Sequence, residues 1–124
     1  METYPLIVGG EKKETGDIVK VRFPYTGETY AQVCSAGSAE LNKAVATACD
    51  GFAETRHLSS GKRAEILFRL ADQIHARADE LAEVLVMEGG KTRKFAATEV
   101  IRAEATVRTT AEEAKRIYGE VIPL

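Results

Sequence analysis

Arg102 is the side chain in this sequence best suited to hold an anion, and it stands three residues beyond Glu99 in the run Glu99-Val100-Ile101-Arg102. A guanidinium keeps its charge and can present two parallel N–H groups to a carboxylate or a phosphate. Three-residue spacing on a helix also makes Glu99 and Arg102 neighbours, so a local ion pair of about 0.2–0.5 kcal/mol is the plain alternative. On the residues alone both readings stand. The remaining reactive side chains suggest less. Cys34 and Cys49 lack metal-ligand spacing and have no His nearby in sequence, and they read as small structural thiols. His57 and His75 have no acid or thiol at motif spacing, and Lys12-Lys13 and Arg93-Lys94 read as solvated basic pairs. Neither usual glycine-rich phosphate loop, no Cys/His zinc pattern and no Gly-x-Ser-x-Gly elbow occurs. No catalytic and no cofactor-binding residue is assigned.

Composition bounds the rest. The 124 residues are 44% hydrophobic and 29% charged, enough for one core and no reason for two. The 17 basic and 19 acidic residues are spread along the chain, which argues against a nucleic-acid partner. No run approaches the ~18 apolar residues of a membrane span, and Met1 to Leu6 lack the pattern of a secretory signal. A cytoplasmic location is the default. With no Trp, four Phe and four Tyr, the core must rest on Ala, Val, Leu and Ile.

The elements that must position these residues read as β first and α afterwards. Tyr4 to Val8 is a short apolar strand, Gly9-Gly10 a hairpin turn, and Glu11 to Lys13 its polar return. Ile18 to Arg22 alternates, Phe23 to Glu28 turns on Pro24 and Gly27, and Thr29 to Cys34 is a further strand. Ser38 is the expected cap of a helix with a Leu41, Ala44, Val45, Ala48, Phe52 stripe. Ser59 or Ser60 caps the next, whose face holds Leu67, Leu70, Ala71, Ile74 and Ala78; a break falls near Arg77 to Asp79, and Gly89-Gly90 ends the helical run. A last helix, from about Thr92 to Arg116, would be ~37 Å long. Its seam is expected at Ala96, Val100, Ala103, Val107, Thr110, Ala114 and Ile117. Because these side chains are mostly small, the helix should lie closely on another layer. The fold class is α+β: N-terminal hairpin strands followed by three to four helices. The closing Gly119-Glu120-Val121-Ile122-Pro123-Leu124 is an apolar, extended exit, so the chain is expected to be the N-terminal part of something larger.

Taken together, the pieces resemble the aldehyde dehydrogenase superfamily. Pro24-Tyr25-Thr26-Gly27-Glu28 is similar to its Pro-x-Thr-Gly-Glu turn. Lys62-Arg63, Leu67, Ala71-Asp72 and Arg77-Ala78-Asp79-Glu80-Leu81-Ala82 resemble its helix pair, and Glu88-Gly89-Gly90-Lys91 with Ala97 and Glu99-Val100 resembles its Glu-x-Gly-Lys helix start. Gly119-Glu120-Val121-Ile122-Pro123 is similar to its Gly-Glu-x-Ile-Pro exit. Each motif is weak alone; their order over nearly all of the chain is specific. Thr92 stands where Pro is usual and Gly89 where a bulkier residue is common, departures that bear on subfamily.

The resemblance implies that residues 1–124 open the cofactor-binding domain of a longer enzyme, with strands over 1–35 and helices over 38–118. Such an enzyme oxidises an aldehyde to an acid with NAD or NADP through a cysteine thiohemiacetal, its Cys, Glu and cofactor-binding residues lying beyond this chain. The chain alone is expected to bind no cofactor and to turn over nothing. The resemblance also implies that Arg102 faces the substrate, as the Arg of the similar Glu-Val-x-Arg sequence does in non-phosphorylating glyceraldehyde-3-phosphate dehydrogenases, a branch that has lactaldehyde and phosphonoacetaldehyde dehydrogenases as relatives. A small, anionic aldehyde follows. It further implies a monovalent cation at Glu88 and the backbone carbonyl near Val21. Apolar faces meant for missing layers, above all the Ala96 to Ala114 seam, should make the isolated chain self-associate. The alternative is a self-standing helical interaction module without catalysis.

Overall fold

Pro5 has no backbone N–H to give a sheet, and it divides the first strand in the computed structural model, which describes residues 2–120 and residue 122. The single strand expected over Tyr4 to Val8 is therefore two, β1 (Thr3–Tyr4) and β2 (Leu6–Val8). They take different partners. β1 runs parallel to β5 (Thr29–Cys34), with Thr3 opposite Gln32, while β2 forms the expected hairpin with β3 (Glu11–Lys13), Val8 opposite Glu11. Gly9 and Gly10 have φ of 62° and 85°, the pair of positive values that a two-residue hairpin turn demands. A side-chain carbon on Gly9 would lie 2.6 Å from Thr47 Cγ2, so the turn rests directly on the first helix, α1 (Ser38–Thr55).

β4 (Ile18–Arg22) completes a three-stranded sheet of order β1-β5-β4, antiparallel to β5 with Val21 opposite Ala31 and a register slip after Val21. The slip leads into the turn. Phe23 N–H donates to Glu28 O at 2.9 Å, and Gly27 N–H donates to Phe23 O at 2.8 Å. α1 is capped one residue earlier than expected: Gly37, not Ser38, is the N-cap. Glu40 decides this, because its carboxylate accepts from the Gly37 N–H at 3.0 Å and from Lys13 Nζ at 2.9 Å, tying helix start to β3. The Lys13 bond, followed by the backbone bonds, holds the Glu40 carboxyl below its ordinary range. The α1 stripe forms but stays uncovered, with Leu41, Val45 and Phe52 each more than half exposed. Within this unit, which comprises the chain to His57 and Val84–Lys91, Ala31 and Cys34 are buried among the described residues.

The second compact unit takes Leu58–Glu83 and the residues from Thr92 onward. It is built on α2 (Ser60–Ala76), the first turns of α3 (Ala78–Gly89), and α4 (Arg93–Ala114). Ser59 caps α2 as expected, its hydroxyl accepting from Lys62 N–H at 3.2 Å. The expected break falls at Arg77, whose φ of −112° lies outside the helix, and Arg77 pairs with Glu80 across it. α2 and α4 pack antiparallel, as three cross-helix contacts show. Asp72 meets Arg108 at 2.8 Å, His75 meets Glu104 at 2.9 Å, and Lys115 Nζ lies 5.0 Å from the Phe68 ring centre.

The buried side chains between these helices are small. Ala64, Ala71, Ala96 and Ala111 have no exposed surface, and Val100 and Ala114 have little. The seam of α4 is thus the expected one at Ala96, Val100 and Ala114 and differs elsewhere, with Ile117 exposed beyond the end of the helix. Glu104 and Ala111 turn inward where Ala103 and Thr110 are expected, and both of the latter are exposed. Sequence patterning excludes a carboxylate from a seam. Glu104 is admitted because it brings partners: His75 and Arg108 both bond it, and these bonds lower its carboxyl below the ordinary range. The other differences are minor. α4 ends at Ala114, two residues early. Val121, Pro123 and Leu124 of the extended exit lie outside the described residues. Among the described residues no helix is long and apolar enough to cross a membrane.

Candidate functional site

Val100 and Arg102 are separated by about 200° around α4 at ~100° per residue, so burying one against α2 turns the other outward. Val100 is 5% exposed and Arg102 is on the open side. The local pair with Glu99 does not form: among the described residues no hydrogen bond or ion pair engages the Arg102 guanidinium. An open groove of about 390 Å³ runs along this face, lined by Arg102, Ala105, Thr106, Thr109 and Thr110. The threonines carry no motif; sequence patterning places Thr110 in the buried seam and does not single out Thr106 or Thr109. The signal was the helical repeat itself, since positions four and seven residues beyond Arg102 share its face. Thr106 Oγ1 donates to Arg102 O and Thr110 Oγ1 donates to Thr106 O, each at 2.8 Å. The groove therefore offers one fixed positive charge, a floor of small side chains, and hydroxyl oxygens on its wall. It suits an anion.

Glu88 and Val21 belong to the other compact unit. Glu88 is exposed in the last turn of α3, and Val21 is half-buried on β4. Gly90 brings their segments together. Its φ is 64°, and a side-chain carbon there would sit 3.2 Å from Pro24 Cβ, so the helix end closes onto the turn that follows β4. That is proximity of segments and no assembled ligand set. Hard cations take several oxygens, Glu88 supplies one carboxylate, and the described residues hold no group of three or more His, Cys, Asp or Glu that could ligate a metal.

The cysteines divide. Cys34 is buried, its Sγ accepting from Thr15 N–H at 3.5 Å, which agrees with a structural thiol; Cys49 is exposed on α1, against the expectation of a small structural thiol there. His75 is exposed and engaged by Glu104, a role in helix pairing that its isolation in sequence did not suggest. A second groove of about 430 Å³, between α2 and α4, is lined mainly by Leu58, Ile66, Leu67, Ala114 and Ile117 and has little polar surface.

Residues 11–124 match the model of the aldehyde dehydrogenase family. The 3-sulfolactaldehyde dehydrogenase of Priestia aryabhattai is 39% identical over all 124 residues, and these span 26% of that relative. The mitochondrial succinate-semialdehyde dehydrogenase of Arabidopsis thaliana is 36% identical over 119 residues, 94% of this chain and 22% of that protein. Among solved structures, aldehyde dehydrogenase 21 of Physcomitrella patens, in complex with the reaction product succinate, superposes with a TM-score of 0.95 at 29% identity, covering 99% of this chain and 26% of its own. Lactaldehyde dehydrogenase from Escherichia coli gives 0.94 at 27% identity, over 99% and 26%. The chain thus spans about a quarter of the length of these relatives, and its strands and helices match the start of their fold. It belongs to the aldehyde dehydrogenase family.

Proposed function

We propose that this chain opens the cofactor-binding domain of a cytoplasmic, NAD(P)-dependent oxidoreductase that converts an anionic aldehyde to an acid through a cysteine thiohemiacetal. The observation that carries the reading is the family match over residues 11–124, with relatives that act on aldehydes bearing a sulfonate or a carboxylate. Strands between Thr3 and Cys34 and helices between Ser38 and Ala114 form the segment's scaffold. On this reading the nucleophilic Cys, the general-base Glu and the groups that hold NAD or NADP belong to the remainder of the enzyme. What this chain contributes is Arg102. Its unengaged guanidinium, held outward by the burial of Val100, draws the anionic end of the substrate to one place and so aims the aldehyde end. A monovalent cation held by Glu88 and the Val21 carbonyl is a subsidiary part of this proposal, supported by the contact of Gly90 with Pro24, and no chemical step passes through it. Anomalous scattering at Glu88 in crystals soaked with thallium(I) tests it; the absence of a peak removes it.

The test of function is turnover by the full-length product of the reading frame that contains this chain. It should reduce NAD or NADP with a four-carbon aldehyde bearing a terminal carboxylate, at a kcat/KM well above that for the neutral aldehyde of equal length. No cysteine-dependent turnover of any aldehyde, or preference for the neutral one, overturns the reading.

Residues 1–124 alone should behave differently. Leu41, Val45 and Phe52 on α1 and Ile117 beyond α4 remain open to water, and apolar surface of that kind drives association. Sedimentation of the isolated chain should show mass rising with concentration; a monodisperse monomer throughout would contradict this.

A further inference from the structure

The hydroxyl groups in the Arg102 groove are not equivalent. Thr106 and Thr110 each spend their proton on a backbone carbonyl one turn back. Their oxygens can accept, which makes them neutral or slightly repellent toward an anion. Thr109 differs: it is exposed, and among the described residues its hydroxyl makes no hydrogen bond. The groove therefore holds two groups with protons to give, the guanidinium of Arg102 and the hydroxyl of Thr109. They flank Ala105, whose side chain is too small to fill the space between them. Seven residues separate them on the helix, two turns and ~10.5 Å along its axis, a gap that the long arginine side chain and the ligand's head group must fill together.

Head groups differ in how many acceptors they bring. A carboxylate has two oxygens in one plane, and the fork of a single guanidinium can satisfy both. A sulfonate or a phosphate monoester has three terminal oxygens arranged about a tetrahedral centre, so one still points away when the fork is filled. Resting on the proposed role of Arg102, we propose that Thr109 donates to that third oxygen and is the residue that lets this enzyme distinguish a three-oxygen head group from a carboxylate. Arg102 supplies attraction to either anion; Thr109 supplies the difference.

The experiment compares, in the full-length enzyme, two aldehydes of equal chain length, one ending in a sulfonate and one in a carboxylate. Thr109→Val keeps the shape and removes the donor. It should raise KM about tenfold for the sulfonate and less than about twofold for the carboxylate, with kcat little changed for both. Thr109→Ser restores the hydroxyl and should restore the sulfonate KM. Should the valine variant fold poorly, Thr109→Ala, at an exposed helix position that alanine favours, gives the same comparison. Equal losses on both substrates, or none on either, overturn the role of Thr109. Arg102→Leu separates this failure from the other one. If that change weakens both anionic substrates while Thr109→Val weakens neither selectively, only the inference about Thr109 falls. If Arg102→Leu weakens neither, the anion-binding role of the groove falls, and Thr109 with it.

Discussion

Arg102→Leu, made in the full-length enzyme, is expected to raise KM for an anionic aldehyde by ten- to a hundredfold while leaving a neutral aldehyde of similar length within about twofold. The magnitude follows from the chemistry lost. A hydrogen-bonded charge contributes about 1.5–3 kcal/mol, and each ~1.4 kcal/mol is tenfold in binding. The structure removes the usual confounding effects. Among the described residues no ion pair engages the guanidinium, so the substitution breaks no internal bond, and the side chain is exposed on a helix in which leucine is at ease. Val100, which fixes the rotation of α4 against α2, is untouched. Arg102→Lys should fall between, since it keeps the charge and loses the planar fork. Initial-rate kinetics on the matched aldehyde pair decide the matter: equal changes for both substrates would show that Arg102 acts on the fold or on some step common to all aldehydes.

Local features were the most legible in the sequence. Gly9-Gly10 announced a turn that only residues tolerant of positive φ can make, and the strands at Ile18–Arg22, which alternates, and Thr29–Cys34, which follows the turn, were legible to the residue. Ser59 announced its helix start by the same kind of short-range chemistry. What sequence patterning missed depends on partners far along the chain. The parallel pairing of Thr3–Tyr4 with β5 leaves no mark on a two-residue strand, and the cap at Gly37 is set by a Glu40 that is itself held by Lys13, 27 residues away. Arg102 was legible through a motif. Its groove was not, because Ala105, Thr106 and Thr109 are unremarkable residue types that matter only through the face they share. The Glu88 and Val21 pair is suggested by resemblance alone; the approach of Gly90 to Pro24 brings their segments near one another and assembles no ligand set.

The rotation of α4 has an equally sharp test, in stability, because two alanines eight residues apart exchange roles between the pattern and the structure. Ala103 falls on the heptad seam and is exposed; Ala111 falls off it and has no exposed surface. The rungs Asp72–Arg108 and His75–Glu104 fix which turn of α4 meets which turn of α2, and Ala111 falls between Arg108 and Lys115, both of which reach across to α2. A side chain with no exposed surface between packed helices leaves no room for three more carbons. Ala111→Leu should therefore cost about 1–3 kcal/mol by overpacking, a large share of the ~5–15 kcal/mol typical of a folded domain. Ala103→Leu adds the same atoms to the open face and should stay within about 0.5 kcal/mol. Urea denaturation of the chain, at one fixed low concentration to hold self-association constant, reads both. Loss confined to Ala111→Leu establishes that Glu104, with His75 and Arg108 as its partners, sits at the seam; loss confined to Ala103→Leu would restore the plain heptad, turn Arg102 by one residue step around the helix, and take its groove apart.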